Sequence, residues 1–276
     1  MKNNTLLAGI LLSATCSVSA LAHDNGHEAS TLAEVVKSDF RQDSNVNRDK
    51  YRHPLETLTF FDVKPSDTVI ELWPGGGWYA EVLAPYLAEE GQYVAGNFDT
   101  EPADEKKRTG YRATSGKKFE AWLKEHRAQV GKATTVTFDP PTHYALGRDE
   151  SADTVLTFRN LHNWAMKGYL EPVFESTFKV LKPGGTFGIV EHRANKGMDA
   201  KTGYMDEAEV IALAEKVGFT LVAKSDVNAN SKDTKDYPKG VWTLPPRLAL
   251  ENVDKAKYLA IGESDRMTLK FVKNTQ

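Results

Sequence analysis

The sequence predicts an α/β fold: seven strands in a mostly parallel sheet, with an antiparallel last strand and helices on both faces. Three observations predict it. From residue 68 onward, short apolar runs alternate with helical patterns, and strands separated by helices run parallel and are buried on both faces. The first run ends in a glycine-rich turn, Pro74-Gly75-Gly76-Gly77, which leads at once into a helical pattern. The last two runs are joined by a long segment with little helix, which suits an antiparallel return better than a helical crossover.

Taken in order, residues 32–40 have helical spacing, with Leu32, Val35 and Val36 on one side. Residues 41–50 read as a polar loop, and Pro54 suits the first turn of a helix running to residue 61. Residues 68–73 (TVIELW) are the first strand and 78–87 its following helix. Strands follow at 93–98, 134–138, 153–158 and 186–190, with helices at 119–130 and 169–181. A helix over 206–217 opens on Asp206 and stops at Gly218. Residues 219–223 and 267–272 are the last strands, flanking an insertion at about 224–264 that contains Pro245-Pro246.

The N-terminus is a different material. Lys2, the apolar stretch 6–12 and the Ala20-Leu21-Ala22 pattern read as a signal peptide over residues 1–22, cleaved after Ala22. A lipoprotein signal on Cys16 fits less well, because Ser13-Ala14-Thr15 lacks the usual Leu and small residue. The expected mature protein is therefore periplasmic or secreted and holds no cysteine, which excludes disulfides and a thiol nucleophile. No later apolar run approaches the ~18 residues a span needs, so no stable membrane insertion is expected after cleavage. A net charge of −3, with 35 basic and 38 acidic residues interspersed, gives no reason to expect nucleic acid. Residues 23–66 read as an N-terminal helical lid or extension, and 67–276 as the α/β domain.

A glycine turn after the first core strand places backbone amides at the carboxyl end of the sheet, where α/β folds bind ligands. The turn lacks G-x-G-x-x-G, which disfavours a nicotinamide oxidoreductase, and it lacks the Lys-Ser/Thr of a phosphate-binding loop. Glu71 stands two residues before Trp73, inside the strand. Glu71-Leu72-Trp73-Pro74-Gly75-Gly76-Gly77 resembles the first motif of class I S-adenosylmethionine-dependent methyltransferases, an acid followed by G-x-G-x-G, with Trp73 in the first glycine place. Leu181-Lys182-Pro183-Gly184-Gly185 resembles the turn before that family's fifth strand. The longer string ELWPGGGWYAEVLAPYL resembles a subgroup of predicted exported bacterial methyltransferases.

The resemblance implies a Rossmann-like sheet, S-adenosyl-L-methionine as cofactor and a small-molecule acceptor. Glu71, Trp73, Gly75 and Gly77 would adjoin the donor's methionine portion. Asn97, with Asp99 two residues on, would stand where the family has the ribose-binding acid. Asp139 would meet the adenine; it also reads as an ordinary turn-initiating Asp before Pro140-Pro141. Leu161-His162-Asn163-Trp164 resembles the L-H-D-W stretch of small-molecule O-methyltransferases, which implies His162 as general base. The alternative is that His162 caps a helix or packs under Trp164. Asn160 is expected to face the cofactor. Tyr51, His53, Arg159, Trp164, Glu191 and His192 are the expected acceptor-binding residues; the Tyr51-Arg52-His53 and Glu191-His192-Arg193 groups read equally as a structural salt bridge or surface cluster. His23, Asp24, His27 and Glu28 read as a loose tail, and no His, Cys or carboxylate set has metal-ligand spacing. A second class of function fits the same residues: a catalytically silent ligand-binding protein on this fold, favoured by Trp73, by Asn97 and by export away from donor synthesis.

Overall fold

The seven expected runs are all strands of one sheet in the computed structural model, which describes residue 1 and residues 30–274. They are β1 (Thr68–Leu72), β2 (Gln92–Asn97), β3 (Thr134–Thr137), β4 (Ala152–Phe158), β5 (Leu181–His192), β6 (Phe219–Ser225) and β7 (Arg266–Lys273). Their order is β3-β2-β1-β4-β5-β7-β6. Pairs from β3 through β5 are parallel, and β7 lies antiparallel to both β5 and β6. The order in which strands are added reverses between the parallel neighbours β1 and β4, which makes the carboxyl ends of these two strands the topological switch point. The expected signal peptide and the His-rich tail after it lie outside the described residues.

Helices α1 (Leu32–Val36), α2 (Asp43–Val46), α3 (Asp49–Arg52) and α4 (Pro54–Phe60) precede the sheet. The stretch expected to be a polar loop thus contains two one-turn helices. Their polar faces bury no apolar stripe, so periodicity had nothing to register. Pro54 does open α4. Within the sheet follow α5 (Ala80–Tyr86), α6 (Tyr111–Glu125), α7 (Arg127–Val130), α8 (Leu161–Ala165), α9 (Leu170–Val180), α10 (Glu207–Val217) and α11 (Lys255–Ile261). The helix expected from residue 119 starts earlier, at Tyr111, because its first two turns are mostly polar and partly exposed. Asp206 caps α10 through the Ala208 and Glu209 amides, and Gly218 ends it at φ 119°.

Two apolar layers sandwich the sheet. Alternation along β1 sends Ile70 and Leu72 to one, with Trp73, Phe138, Trp164 and Phe187. Val69 goes to the other, with Leu58, Phe61, Leu83 and Tyr93. Glu71 therefore faces the second layer, a buried carboxyl among apolar neighbours. Among the described residues no helix is long and apolar enough to cross a membrane.

Candidate ligand site

A cavity of about 400 Å³ opens at the switch point, within the size range of small-ligand pockets. Its floor is the end of β1 and the turn after it (Glu71, Trp73, Pro74, Gly75, Gly76), together with Phe158, Arg159 and Asn160 from the end of β4. Its walls are Trp78 and Tyr79 ahead of α5, His162 of α8 and His192 of β5. Asn45, Arg48 and Arg52 from the N-terminal helices close one side. Val241, Trp242, Leu244 and Pro245 to Arg247 from the insertion close the other, and Arg266 opens β7 beneath it.

Gly75 is held at φ 60° with open space where a Cβ would stand, so backbone lies bare to the cavity there. Gly77, at φ 79°, faces Phe119 instead and does not line it. Asn160 donates its side-chain amide to the carbonyls of Leu72 (2.9 Å) and Trp73 (3.3 Å), which pins β4 to the turn. Glu71 accepts the Tyr93 hydroxyl proton at 2.6 Å. Burial pushes its carboxyl from 4.5 up to about 7, against the lowering effect of that bond and of the Arg159 charge.

The basic residues carry most of the cavity's electrostatics. Glu263 is buried and accepts from Arg48 Nε (2.6 Å), Arg52 Nε (3.1 Å) and Arg266 Nη2. Burial raises the Glu263 carboxyl, but the charges of Arg266, Arg52, Arg159 and Arg48 together hold it well below the usual carboxylate range. The Arg159 side chain makes no hydrogen bond or ion pair among the described residues. Burial, then the charge of Arg266, draw it from 12.5 down to about 10. Its backbone is left-handed at φ 62°, a strained setting for a long side chain.

His162 is 4% exposed, and its Nδ1 sits 3.1 Å from Glu191 Oε1. Glu191 lies behind the cavity rather than in it, and also accepts the amides of Leu161 (2.6 Å) and His192 (2.7 Å). The carboxylate fixes the His162 proton on Nδ1 and leaves Nε2 for the cavity side. His192 faces the cavity with its Nδ1 2.5 Å from Ser264 Oγ. Burial, then the charges of His162, Arg266, Arg159 and Arg52, push its pKa well below the usual histidine value. His162, Glu191 and His192 offer three donor atoms within 4.8 Å of one another. Glu191 is already occupied by three partners, and the surrounding arginines oppose a dication.

The residues expected to hold the nucleoside are elsewhere. Trp73 is 6% exposed, and its Nε1–H donates to the Phe138 carbonyl at 2.8 Å. Its ring lies 4.9 Å from those of both Phe98 and Trp164, with the Arg112 guanidinium 4.5 Å above it. The indole thus fills the space between the ends of β1, β2 and β3 where ribose and adenine were expected. Asn97 is turned into the protein, donating its amide to Gly116 O (3.2 Å) and Glu120 Oε1 (3.4 Å). Asp99 accepts the Glu101 amide at 3.0 Å, and Asp139 accepts Arg112 Nη1 at 2.7 Å and the Asp99 amide. None of Asn97, Asp99 and Asp139 reaches the cavity. The donor's nucleoside half does not fit these residues, since an aromatic ring occupies its place and its acceptors are spent.

Among the expected acceptor-binding residues, Arg159 and His192 line the cavity, whereas Tyr51, His53, Trp164 and Glu191 do not. Tyr51 packs against Gly262, and His53 is the left-handed junction between α3 and α4. Trp164 is fully buried against Trp73. Sequence reasoning missed Arg48, Arg266 and Glu263. Glu263 and Arg266 are local neighbours, three positions apart, but Arg48 lies 215 positions from Glu263, so the fold is what brings it to them. The side chain that reaches the cavity from the Tyr51-Arg52-His53 stretch is Arg52.

No family model matches the sequence, and no curated protein does. Solved structures do match in fold. A SAM-dependent methyltransferase from Aquifex aeolicus is similar at a TM-score of 0.54 and 15% identity, over 88% of this chain and 99% of that one. SAM-dependent methyltransferases from Methanosarcina mazei are similar at 0.51 and 12%, over 79% and 98%. The [4+2]-cyclase SpnF is similar at 0.54 and 14%, over 82% and 81%. One fold thus carries proteins described by different chemistries, and function must be argued from the site. The strand order, the antiparallel β7 and these likenesses together give the chain the Rossmann-like fold of the class I SAM-dependent methyltransferases.

Proposed function

We propose that this chain is a small-molecule protein on the methyltransferase fold that works without the methyl donor. It binds its ligand in the cavity between β1 and β4 and exchanges a proton with it through His162 Nε2. The observation that carries this reading is the Trp73 indole, locked between Phe98 and Trp164 and hydrogen-bonded to Phe138. A buried tryptophan with its N–H satisfied is part of the core. Ligand binding there would have to displace it, at a cost comparable to the several kcal/mol of a Trp truncation.

The proton-transfer half follows from Glu191. A carboxylate on Nδ1 stabilises the imidazolium that forms when Nε2 takes a proton, and it holds the ring in one orientation. Export to the periplasm or beyond, with cleavage after Ala22, belongs to the same proposal, because a donor-free site needs no supply of S-adenosylmethionine. Calorimetric titration of the full chain with S-adenosylmethionine, its demethylated product and NAD tests the proposal. No heat is expected with any of them. Micromolar binding of either sulfur nucleoside by the wild type overturns it.

A second reading has one observation in its favour. Glu71, Gly75 and Gly76 face the cavity, so the methionine end of a methyl donor still has an open place. Under that reading the chain is a methyltransferase for a small-molecule acceptor, Trp73 swings out on binding, and tryptophan fluorescence changes on titration with the donor. His162→Ala would then abolish turnover in an acceptor screen.

A further inference from the structure

Charge around the cavity does not balance. Arg48, Arg52 and Arg266 share the single carboxylate of Glu263, and Arg159 adds a fourth guanidinium with no partner of its own. Glu71, the carboxyl that lines the cavity itself, is neutral for about half the population near pH 7. Arg48 Nη2, Arg52 Nη1 and Arg266 Nε are buried without hydrogen-bond partners. Arg52 and Arg266 are each 2% exposed. A purely structural cluster would satisfy its donors, since buried polar groups are paired in the great majority of proteins. This one leaves buried donors unpaired beside an open space, and leaves the charge of Arg159 without a partner at its edge. Arg247 at the exposed mouth adds to the same potential, which favours entry of an anion.

We propose that the cavity receives a small organic oxyanion, a carboxylate or a phosphate monoester, whose charged head is gripped by Arg159 with Arg52 and Arg266 and whose apolar body lies against Trp242 and Phe158. Arg159 is the centre of the site. Among the described residues it is the buried guanidinium there with no hydrogen-bonded or ion-paired partner, and its fork matches two oxygens of a carboxylate or phosphate. The strained backbone that aims it is explained by this use. The same head sits within reach of the electrostatic field that keeps His192 neutral, so a bound anion offsets the charges now repelling a proton there. Trp242 is half-buried and meets His162 edge-on with ring centroids 5.9 Å apart, which places the apolar body beside the proposed base.

The inference rests on the reading that this cavity is the ligand site, and the two fail separately. S-adenosylmethionine binding decides the donor question, whereas the probes here carry no sulfonium or nucleoside. The full chain is titrated with benzoate, phenyl phosphate and, as the neutral control, benzyl alcohol, at constant ionic strength set with sodium chloride. At least one anionic probe is expected to bind, the alcohol to bind at least about tenfold more weakly, and the preferred probe to name carboxylate or phosphate as the head. Arg159→Gln is expected to weaken the preferred probe by about tenfold or more, with Arg159→Lys recovering part of the loss. A thermal melt of the wild type with and without probe gives a readout independent of whether the variants fold. No binding of either anion, equal binding of the alcohol, or an affinity unchanged by Arg159→Gln in a folded variant overturns the site.

Discussion

The two halves of the groove at the switch point are built on opposite principles. In the half beneath β2 and β3, most polar groups have found a protein partner, the buried Trp164 Nε1 excepted. Trp73 donates to Phe138, Asn97 to Gly116 and Glu120, and Arg112 to Asp139. Rings of Phe98 and Trp164 close on the indole from two sides. In the half beneath β4 and β7 the opposite holds: guanidinium nitrogens are orphaned, Arg159 is unpaired and Glu71 is a carboxyl pushed up to about 7. A region that satisfies itself contributes stability, and a region that does not is kept for a ligand. The fold is that of methyltransferases, and under the proposed function the half beneath β2 and β3 is packed by the Trp73 ring.

The largest test of that contrast is Trp73→Gly, which restores the glycine that the resemblance expects. Removing a buried Trp costs about 3–5 kcal/mol. Glycine returns about 1 kcal/mol of this, because Trp73 sits at φ 49°, a left-handed conformation that disfavours side chains. Urea denaturation should therefore show a net loss of about 3 kcal/mol, and 1 mM adenosine should raise the melting temperature of the variant but not of the wild type. A variant as stable as the wild type would mean that the indole is not core. An adenosine shift in the wild type would mean that the slot is open.

The other half is probed by Glu71→Gln, with an effect of opposite sign. The Glu71 carboxyl is raised from 4.5 to about 7, chiefly by burial, so the fold disfavours its ionised form. Stability is complete below about pH 4.5, falls as pH rises to about 7, and stays reduced above that. Gln keeps an acceptor for the Tyr93 hydroxyl and carries no charge. The variant should exceed the wild type by as much as about 3 kcal/mol at pH 8, and the difference should vanish below pH 4.5. A difference that persists at pH 4 would place its origin in packing rather than in ionisation.

What the sequence disclosed follows the same division. All seven strands were legible, because each is a short apolar run bounded by turns, and β7's direction followed from the helix-poor link before it. That His162, Arg159, Asn160, Glu71 and Gly75 would lie on one side of the sheet was legible because they sit at or within a few residues of strand ends, where position fixes the side. Asn97, Asp99 and Asp139 sit at strand ends too, yet they are spent on neighbours that sequence spacing cannot see: the Gly116 carbonyl and Glu120 on α6, and Arg112. The arginines of α3 and β7 escaped notice for a related reason. Arg52 and Glu263 meet across 211 positions, and nothing local marks either as buried.

Arg112→Ala is the smallest and most discriminating of these tests, because it touches only the self-satisfied half. Its guanidinium lies 4.5 Å above the Trp73 ring and 5.8 Å from that of Phe98, and Nη1 reaches Asp139 Oδ1 at 2.7 Å. The side chain is 39% exposed, so water and salt screen both contacts, and the two together contribute about 1 kcal/mol. Denaturation should show that loss at low ionic strength, and less of it in 0.5 M salt, which screens the exposed pair. Arg112 does not line the cavity, so phenyl phosphate affinity should match that of the wild type in the same buffer. If affinity falls with Arg112 as it does with Arg159, the guanidinium above the indole belongs to the ligand's field, and the boundary drawn between a finished half and an unfinished one must move to include Trp73.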